Sequence, residues 1–281
     1  MNKQNWIFIL PLLVSTFSSI QAQLIEGTVI EKGTGKSIAY LNIGIYGKNR
    51  GTVSDEQGHF RLDISGMADS DTLRFSIIGY DRLDMQLSTA KKRCEKNCKI
   101  ELAAKSYDLK GVEIVSKKNW KERIVGNDLN SDNITAAMSD SMLGHEFGTL
   151  MKIKRKPAVI EEVVLHVARC TFDTVFLRMN ISSTRNKQPD ENLLKVPVYV
   201  QFTKEEAAAH AIKIDMSQYG IRVQDDFLVS FEVVRNLGEG ELALTAGLFK
   251  DKAFYRATSQ AKWMTLGPLG IGISAKISQE K

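Results

Sequence analysis

Four histidines, His59, His145, His166 and His210, are the first candidates for chemistry in this chain. A zinc hydrolase sets two imidazoles on one face at a four-residue helical spacing, with a carboxylate beside them. "GHEFG" places His145 next to Glu146, but no second histidine follows at that spacing. Zinc peptidase chemistry therefore lacks its ligands. Cys170 and His166 stand four residues apart in a strand-like run. On one side of a strand that spacing separates Cα atoms by roughly 13 Å, too far for a thiolate–imidazole pair. Cys170 reads as an apolar filler. No G-x-S-x-G elbow occurs either.

Carboxylates come in near-adjacent pairs, Glu161 with Glu162, Asp225 with Asp226, and Glu239 with Glu241. Glycoside hydrolysis needs two carboxyls facing each other across a sugar, whereas neighbours at strand ends read as solvated turns. "NDLNSDN" offers oxygens at Asp128, Asn130 and Asp132 with calcium-loop spacing, but Asn133 and Ser139 occupy the sixth and twelfth positions. The twelfth should be a bidentate Glu, so a turn-rich connection is the better reading. Tyr199, Tyr255 and Trp263 could expose ring faces suited to the C–H face of a sugar. Such rings serve cores equally often, and Trp263 is the one ligand-platform candidate. No catalytic, cofactor-binding or metal residue is assigned.

The elements that would position these residues are strands. Residues 1–22 are set apart as a leader: Lys3, the apolar run "WIFILPLLVSTFSSI" and a small-residue junction at Ala22 form a cleavable signal peptide. The apolar run is too short for a favoured membrane span, and no transmembrane segment is expected after its removal. Gln23 in place of Cys argues against a lipid anchor there. An exported protein follows, in the periplasm, at the outer membrane or on the cell surface. About 259 residues then remain, a length that suits two small β domains. The formal charge is +5, and the only dense basic run, "MKIKRKP", reads as a solvated strand edge. Nucleic-acid binding, which calls for a basic face interleaved with aromatics, is not expected.

From Leu24 to about Leu102 the strand signals are short and closely spaced, with Gly-rich turns. In "GTVSDEQGHFRLDI", Asp55 can bond backbone two residues on and Gly58 can supply a positive φ. Phe60, Leu62 and Ile64 then alternate with polar residues as a half-buried strand does. Cys94 and Cys98 enclose "EKN" at the tip of an expected hairpin between "LDMQLS" and "CKIEL". They are a candidate disulfide, worth about 2 kcal/mol for so small a loop; two free thiols or an incomplete metal pair are the alternatives. Residues 104–147 read as an exiting strand and a linker. From about Gly148 strands resume, with Val175, Leu177, Met179 and Ile181 on one face of their strand, and Phe176, Arg178 and Asn180 on the other. "TKEEAAAHA" carries the one helical signal, Thr203 and Glu206 spaced as a capping box.

The blocks "IEGTV", "GTGKSIAYLNI", "GTVSDEQGHFRL" and "LRFSIIGY" together resemble the carboxypeptidase regulatory-like domain, a transthyretin-like β-sandwich of exported Bacteroidetes proteins and of TonB-dependent receptors. The resemblance spans about residues 24–103, in a domain set at residues 23–103. It implies structural roles for Gly51, Asp55, Gly58, Phe60, Gly79 and Tyr80, and no active site. "YDLKGVEIVSKKN" is similar to the strand that leaves such domains in the receptors, but too little chain remains for a receptor barrel. The expected fold is all-β, this sandwich followed over residues 148–281 by a jelly-roll-type β-sandwich. The expected function is that of a non-enzymatic cell-envelope protein acting by binding or assembly, its partner an envelope protein or a glycan. A carbohydrate-binding accessory of polysaccharide uptake, or a hydrolase with an unfamiliar site, are the rival expectations.

Overall fold

The computed structural model describes residues 23–96, 98–105, 120–139, 142–249 and 251–280. The leader and the run from 107 to 119, expected to be an exiting strand, lie outside the described residues. Among the described residues the chain is all-β and forms two sandwiches.

The first body holds β1 (Leu24–Glu31), β2 (Asn42–Ile45), β3 (Gly51–Val53), β4 (His59–Asp63), β5 (Thr72–Ser76), β6 (Leu83–Gln86), α1 (Leu87–Arg93) and β7 (Lys99–Leu102). A three-stranded sheet ordered β4-β1-β7 faces a four-stranded one ordered β3-β2-β5-β6. The alternating apolar residues meet between them: Ile25, Val29, Phe60 and Leu62 from one sheet, Ile43, Ile45, Leu73 and Phe75 from the other.

The expected hairpin around the cysteines does not form. β6 ends on β5, while β7 crosses to the other sheet and pairs parallel with β1, from Thr28↔Lys99 to Glu31↔Leu102. The crossing is α1, which buries Leu87 and Ala90 on one face and collects Lys91, Lys92 and Arg93 in its last turn, where cations suit the carbonyl end of a helix. Cys94 follows that turn and is bridged to Cys98, with Cα atoms 4.3 Å apart.

The second body holds β8 (Trp120–Gly126), β9 (Thr135–Ser139), β10 (Glu146–Met151), β11 (Ala158–Cys170), β12 (Thr174–Arg185), β13 (Gln188–Asn192), β14 (Val198–Thr203), α2 (Lys204–Ala207), β15 (Ala211–Asp215), β16 (Arg222–Val223), β17 (Phe227–Val233), β18 (Glu241–Leu248), β19 (Ala253–Arg256), β20 (Met264–Thr265), β21 (Leu269–Ile271) and β22 (Ile273–Glu280). One sheet runs β13-β12-β17-β10-β19-β20, with β14 also on β12. The other runs β21-β18-β11-β22-β8, with β15 and β16 on β11 and β9 on β18. Val163, Leu165, Ile273 and Ala275 of one sheet pack on Leu177, Met179, Val229 and Phe231 of the other. The capping box of α2 forms as its spacing predicts, with Thr203 accepting from Glu206 N and Glu206 from Thr203 N.

Residues 120–147, read from sequence largely as a linker, carry β8 and β9, and both belong to this body. β8 pairs with β22 from Gly126↔Ser274 to Trp120↔Glu280, and β9 pairs with β18. β8 lies at a sheet edge with four of its seven residues exposed, so it lacks the apolar alternation that marks a half-buried strand. No helix among the described residues is long and apolar enough to cross a membrane.

Candidate functional site

The face of β12 that sequence reading left outward is covered by the first body. Phe176 stacks on Tyr199 at 5.3 Å, and Tyr40 of the first body closes on both rings, at 5.1 and 5.4 Å. Next along the same face comes Arg178, only 2% exposed. Its Nη1 donates to the Tyr40 carbonyl and its Nη2 to Asn42 Oδ1, each at 2.7 Å. A buried guanidinium of one body is thus satisfied by the backbone and an amide of the other. Gln260 adds a second tie, its side-chain amide donating to Ser76 Oγ at 2.9 Å and its backbone carbonyl accepting from Gly47 N at 2.9 Å.

Behind Arg178 lies a charge network that the sequence alone did not bring together. The antiparallel register sets Glu146 of β10 opposite Glu232 of β17, Arg178 opposite Glu232, and Arg256 opposite Glu146. Arg178 Nη2 donates to Glu232 Oε2 at 2.7 Å, and Arg256 Nε to Glu146 Oε2 at 2.7 Å. Ser230 Oγ and Asn180 Nδ2 complete Glu146 at its other oxygen, at 2.6 and 2.9 Å.

The two carboxyls differ in kind. Burial works against the Glu146 charge, yet Arg256, Ser230 and Asn180 together hold it below the ordinary value of 4.5. Burial, reinforced by the Glu146 charge, pushes Glu232 upward, and Arg178 offsets only part of this. Arg178 itself stays charged, because Glu232 outweighs its desolvation. Glu232 Oε1 is buried with no hydrogen-bond partner, the kind of atom that calls for an explanation.

Glu232, Arg178, Asn180 and Arg256 line a cleft of about 280 Å³ where the two bodies meet. Its rim adds Asn42, Ser76 and Tyr80 from the first body, and Ser182, Asn192 and Trp263 from the second. Trp263 receives the Arg256 guanidinium over its ring at 4.3 Å and meets Phe254 edge-on at 6.4 Å. One ring face is therefore engaged by Arg256. A mid-strand charge in an otherwise apolar run, Arg178 in "TVFLRMNI" or Glu232 in "FLVSFEVV", was the available signal for this site.

The other sequence candidates disperse. Asp225 pairs with Lys156 and Glu241 with Arg169. Asn130 of the calcium-like loop bonds His166 Nδ1 at 2.7 Å, and among the described residues no group of three or more His, Cys, Asp or Glu could hold a metal ion. Cys170 is half-buried, and burial raises its thiol pKa. His59 stands exposed beside Asp55, while His210 bonds the Val167 carbonyl.

His145 bonds the Tyr255 hydroxyl at 2.7 Å, and His166 also bonds Ser274 Oγ at 2.9 Å. Burial lowers both pKa values from 6.5. The unfolded chain therefore takes up protons first as pH falls through the ordinary histidine value. Stability is full above that value and drops below it. Thermal melts should show Tm falling between about pH 7 and about pH 5, with a shallower slope in His166→Gln. The Glu146 contribution is lost only below about pH 4.5, and the raised Glu232 works the other way, adding stability as pH falls toward 4.5. The assignment therefore rests on the difference in slope, and equal slopes in wild type and His166→Gln would contradict it.

The signature residues of the first body act on shape. Asp55 Oδ1 accepts from Gln57 N at 2.9 Å and His59 N at 2.8 Å, and Gly58 follows with φ +78°. A Cβ on Gly58 would stand 2.6 Å from the Val29 carbonyl oxygen, so both conformation and contact demand glycine. A Cβ on Gly51 would meet Thr258 Oγ1 of the second body at 2.8 Å, which ties that glycine to the joint. Gly79, at φ +95°, opens the way to Tyr80, whose hydroxyl donates to Glu31 at 2.8 Å. Burial and that bond push the Tyr80 phenol up to about 12.

Residues 25–114 match the CarboxypepD_reg-like domain. The match covers the first body, which is thus similar to carboxypeptidase regulatory-like domains. No curated protein matches the chain. Among solved structures, the chain is similar to a clostridial cysteine protease, Cwp84, after propeptide cleavage, at 9% identity and TM-score 0.39, covering 83% of this chain and 52% of that one. The cysteine protease and lectin-like domains of Cwp84 from Clostridium difficile match at 10% identity and TM-score 0.37, over 83% and 46% of the two chains. The Gx strain of infectious bursal disease virus gives 10% and 0.24, over 92% and 55%. This chain spans about half the length of these relatives.

Proposed function

We propose that this chain is an exported, non-enzymatic cell-envelope protein that works by binding, with its ligand seated in the cleft between the two bodies. The observation that carries the reading is Glu232 Oε1, a buried oxygen without a hydrogen-bond partner on a residue that lines that cleft. A ligand hydroxyl or amide N–H would satisfy it. Glu146 and the Arg178 guanidinium, by contrast, are already saturated by protein groups, which suits a rigid wall better than a reacting pair. Export rests on the leader at residues 1–22.

A glycan is the ligand favoured by Trp263, which lines the same cleft beside the amides of Asn42, Asn180 and Asn192. Planar polar groups and a ring match the hydroxyls and C–H face of a sugar. A protein segment reaching into the cleft is the other partner. A glycan array probed with the chain from Gln23 onward separates them. Binding that falls at least about tenfold in Trp263→Ala, the loss of a buried aromatic contact, supports the glycan. A blank array turns the reading to a protein partner. Shorter fragments released from any bound glycan would overturn the non-enzymatic assignment.

A further inference from the structure

The second body is polarised along its strands. β10, β12, β17 and β19 each place one member of the charge network, Glu146, Arg178, Glu232 and Arg256, toward the joint. Their other ends, at Met151, Arg185, Phe227 and Ala253, lie together beyond the cleft, which reaches along β12 as far as Ser182. From Glu232 to Phe227 alone the separation is about 17 Å.

The loops at this far end are bound to one another. Thr184 Oγ1 donates to the Asp226 carbonyl at 2.8 Å, and Asp226 Oδ1 accepts from Ile153 N at 3.0 Å. Lys156 pairs with Asp225, and Lys152 lies 3.5 Å from Asp251. These contacts engage Asp225, Asp226 and Asp251, and Asp190, which also lines the cleft, is taken by Arg185 at 2.8 Å, leaving Glu191 as an exposed carboxylate here. Lys154, Arg155 and Lys187 are exposed and have no ion-pair partner among the described residues. The end therefore carries a cationic excess.

At its apex, in the connection from β18 to β19, Phe249 is 85% exposed and Leu248 is 51% exposed. Phe249 also holds φ +56°, a left-handed conformation that disfavours bulky residues. A turn built only for stability would place Gly or Asn there. The chain instead accepts strain to present an aromatic ring to solvent. An exposed apolar turn at the end of the body that also carries these unpaired cations is complementary to a surface with phosphates outside and hydrocarbon beneath.

We propose that this end docks on an anionic phospholipid bilayer, with Phe249 and Leu248 entering the headgroup region and Lys154, Arg155 and Lys187 meeting lipid phosphates. The first body and the cleft then face away from the membrane. This inference is independent of the cleft ligand.

Vesicle co-sedimentation tests it, using the chain from Gln23 onward because the apolar leader would itself partition. Vesicles of phosphatidylglycerol mixed into phosphatidylcholine should bind the protein, and pure phosphatidylcholine vesicles should bind it far less. Binding to the anionic vesicles should weaken with added salt. Phe249→Asn removes the ring while suiting the positive φ, so its melting temperature should hold while partitioning drops about tenfold. The double change Lys154→Glu with Arg155→Glu should cost at least as much. Equal binding to neutral and anionic vesicles, no binding to either, or unchanged partitioning of Phe249→Asn would overturn the proposal. So would equal retention on heparin by wild type and Phe249→Asn together with absent vesicle binding, an outcome that marks a soluble polyanion as the partner.

Discussion

Arg178→Ala is expected to destabilise the protein by about 3–5 kcal/mol, the cost of leaving a buried charge without its partner. Four acceptor contacts depend on the guanidinium: two to Glu232 Oε2, at 3.1 and 2.7 Å, and one each to the Tyr40 carbonyl and Asn42 Oδ1. Truncation strands a carboxyl whose Oε1 already lacks a partner and opens two acceptors across the joint. For a chain of this size the loss corresponds to a fall in Tm of roughly 10 °C. Calorimetry should also change in form, from one transition toward two, as the bodies lose their polar tie. The double variant Arg178→Met with Glu232→Leu should recover part of the loss, because removing a whole ion pair costs less than halving it. Recovery should stay incomplete while Tyr40 and Asn42 remain unpaired. A single-site loss below about 1 kcal/mol, the range of exposed pairs, would show that Arg178 is not the joint.

Phe60→Ala is the second large effect, about 3–5 kcal/mol for emptying an aromatic site in a closed core. Phe60 sits opposite Gly27 in the β1–β4 register and meets Phe75 edge-on, with centroids 5.8 Å apart. Both rings lie in the first body's own core, with Ile25, Leu62 and Leu73 around them. The damage should therefore be local. Denaturant melts should show the loss, and limited proteolysis should cut first within residues 24–102. Vesicle partitioning should survive under conditions where the second body stays folded. Near-wild-type stability would remove Phe60 from the structural role that the signature implies.

Much of the architecture was readable. Asp55 and Gly58 make the turn that their types predict, and Phe60, Leu62 and Ile64 all reach the core. Such features rest on contacts within a few residues, so a linear chain displays them. The helix α1, the edge strands β8 and β9, and the parallel pairing of β7 were not legible. α1 is seven residues with two buried, too short for a period to stand out. Edge strands lose alternation because solvent reaches both of their faces.

The candidate site was the least legible part. Alternation on β12 correctly separated Leu177 and Met179 from Phe176 and Arg178, but a two-residue period says only which side chains share a face. It cannot say whether a second body will cover the other face. Glu146 looked like a neighbour of His145, whereas the fold turns it toward Asn180, Ser230 and Arg256.

Local chemistry in the chain was thus enough for the strands, the Asp–Gly turn, the helix cap and the all-β character, since each depends on neighbours or on solvent preference. Which strands lie side by side, and so which charges are driven out of water together, was set by long-range register and by the docking of one sandwich on the other. The cleft with its orphaned Glu232 oxygen and the cationic far end both arise at that level, because each gathers residues from loops and strands far apart in the chain.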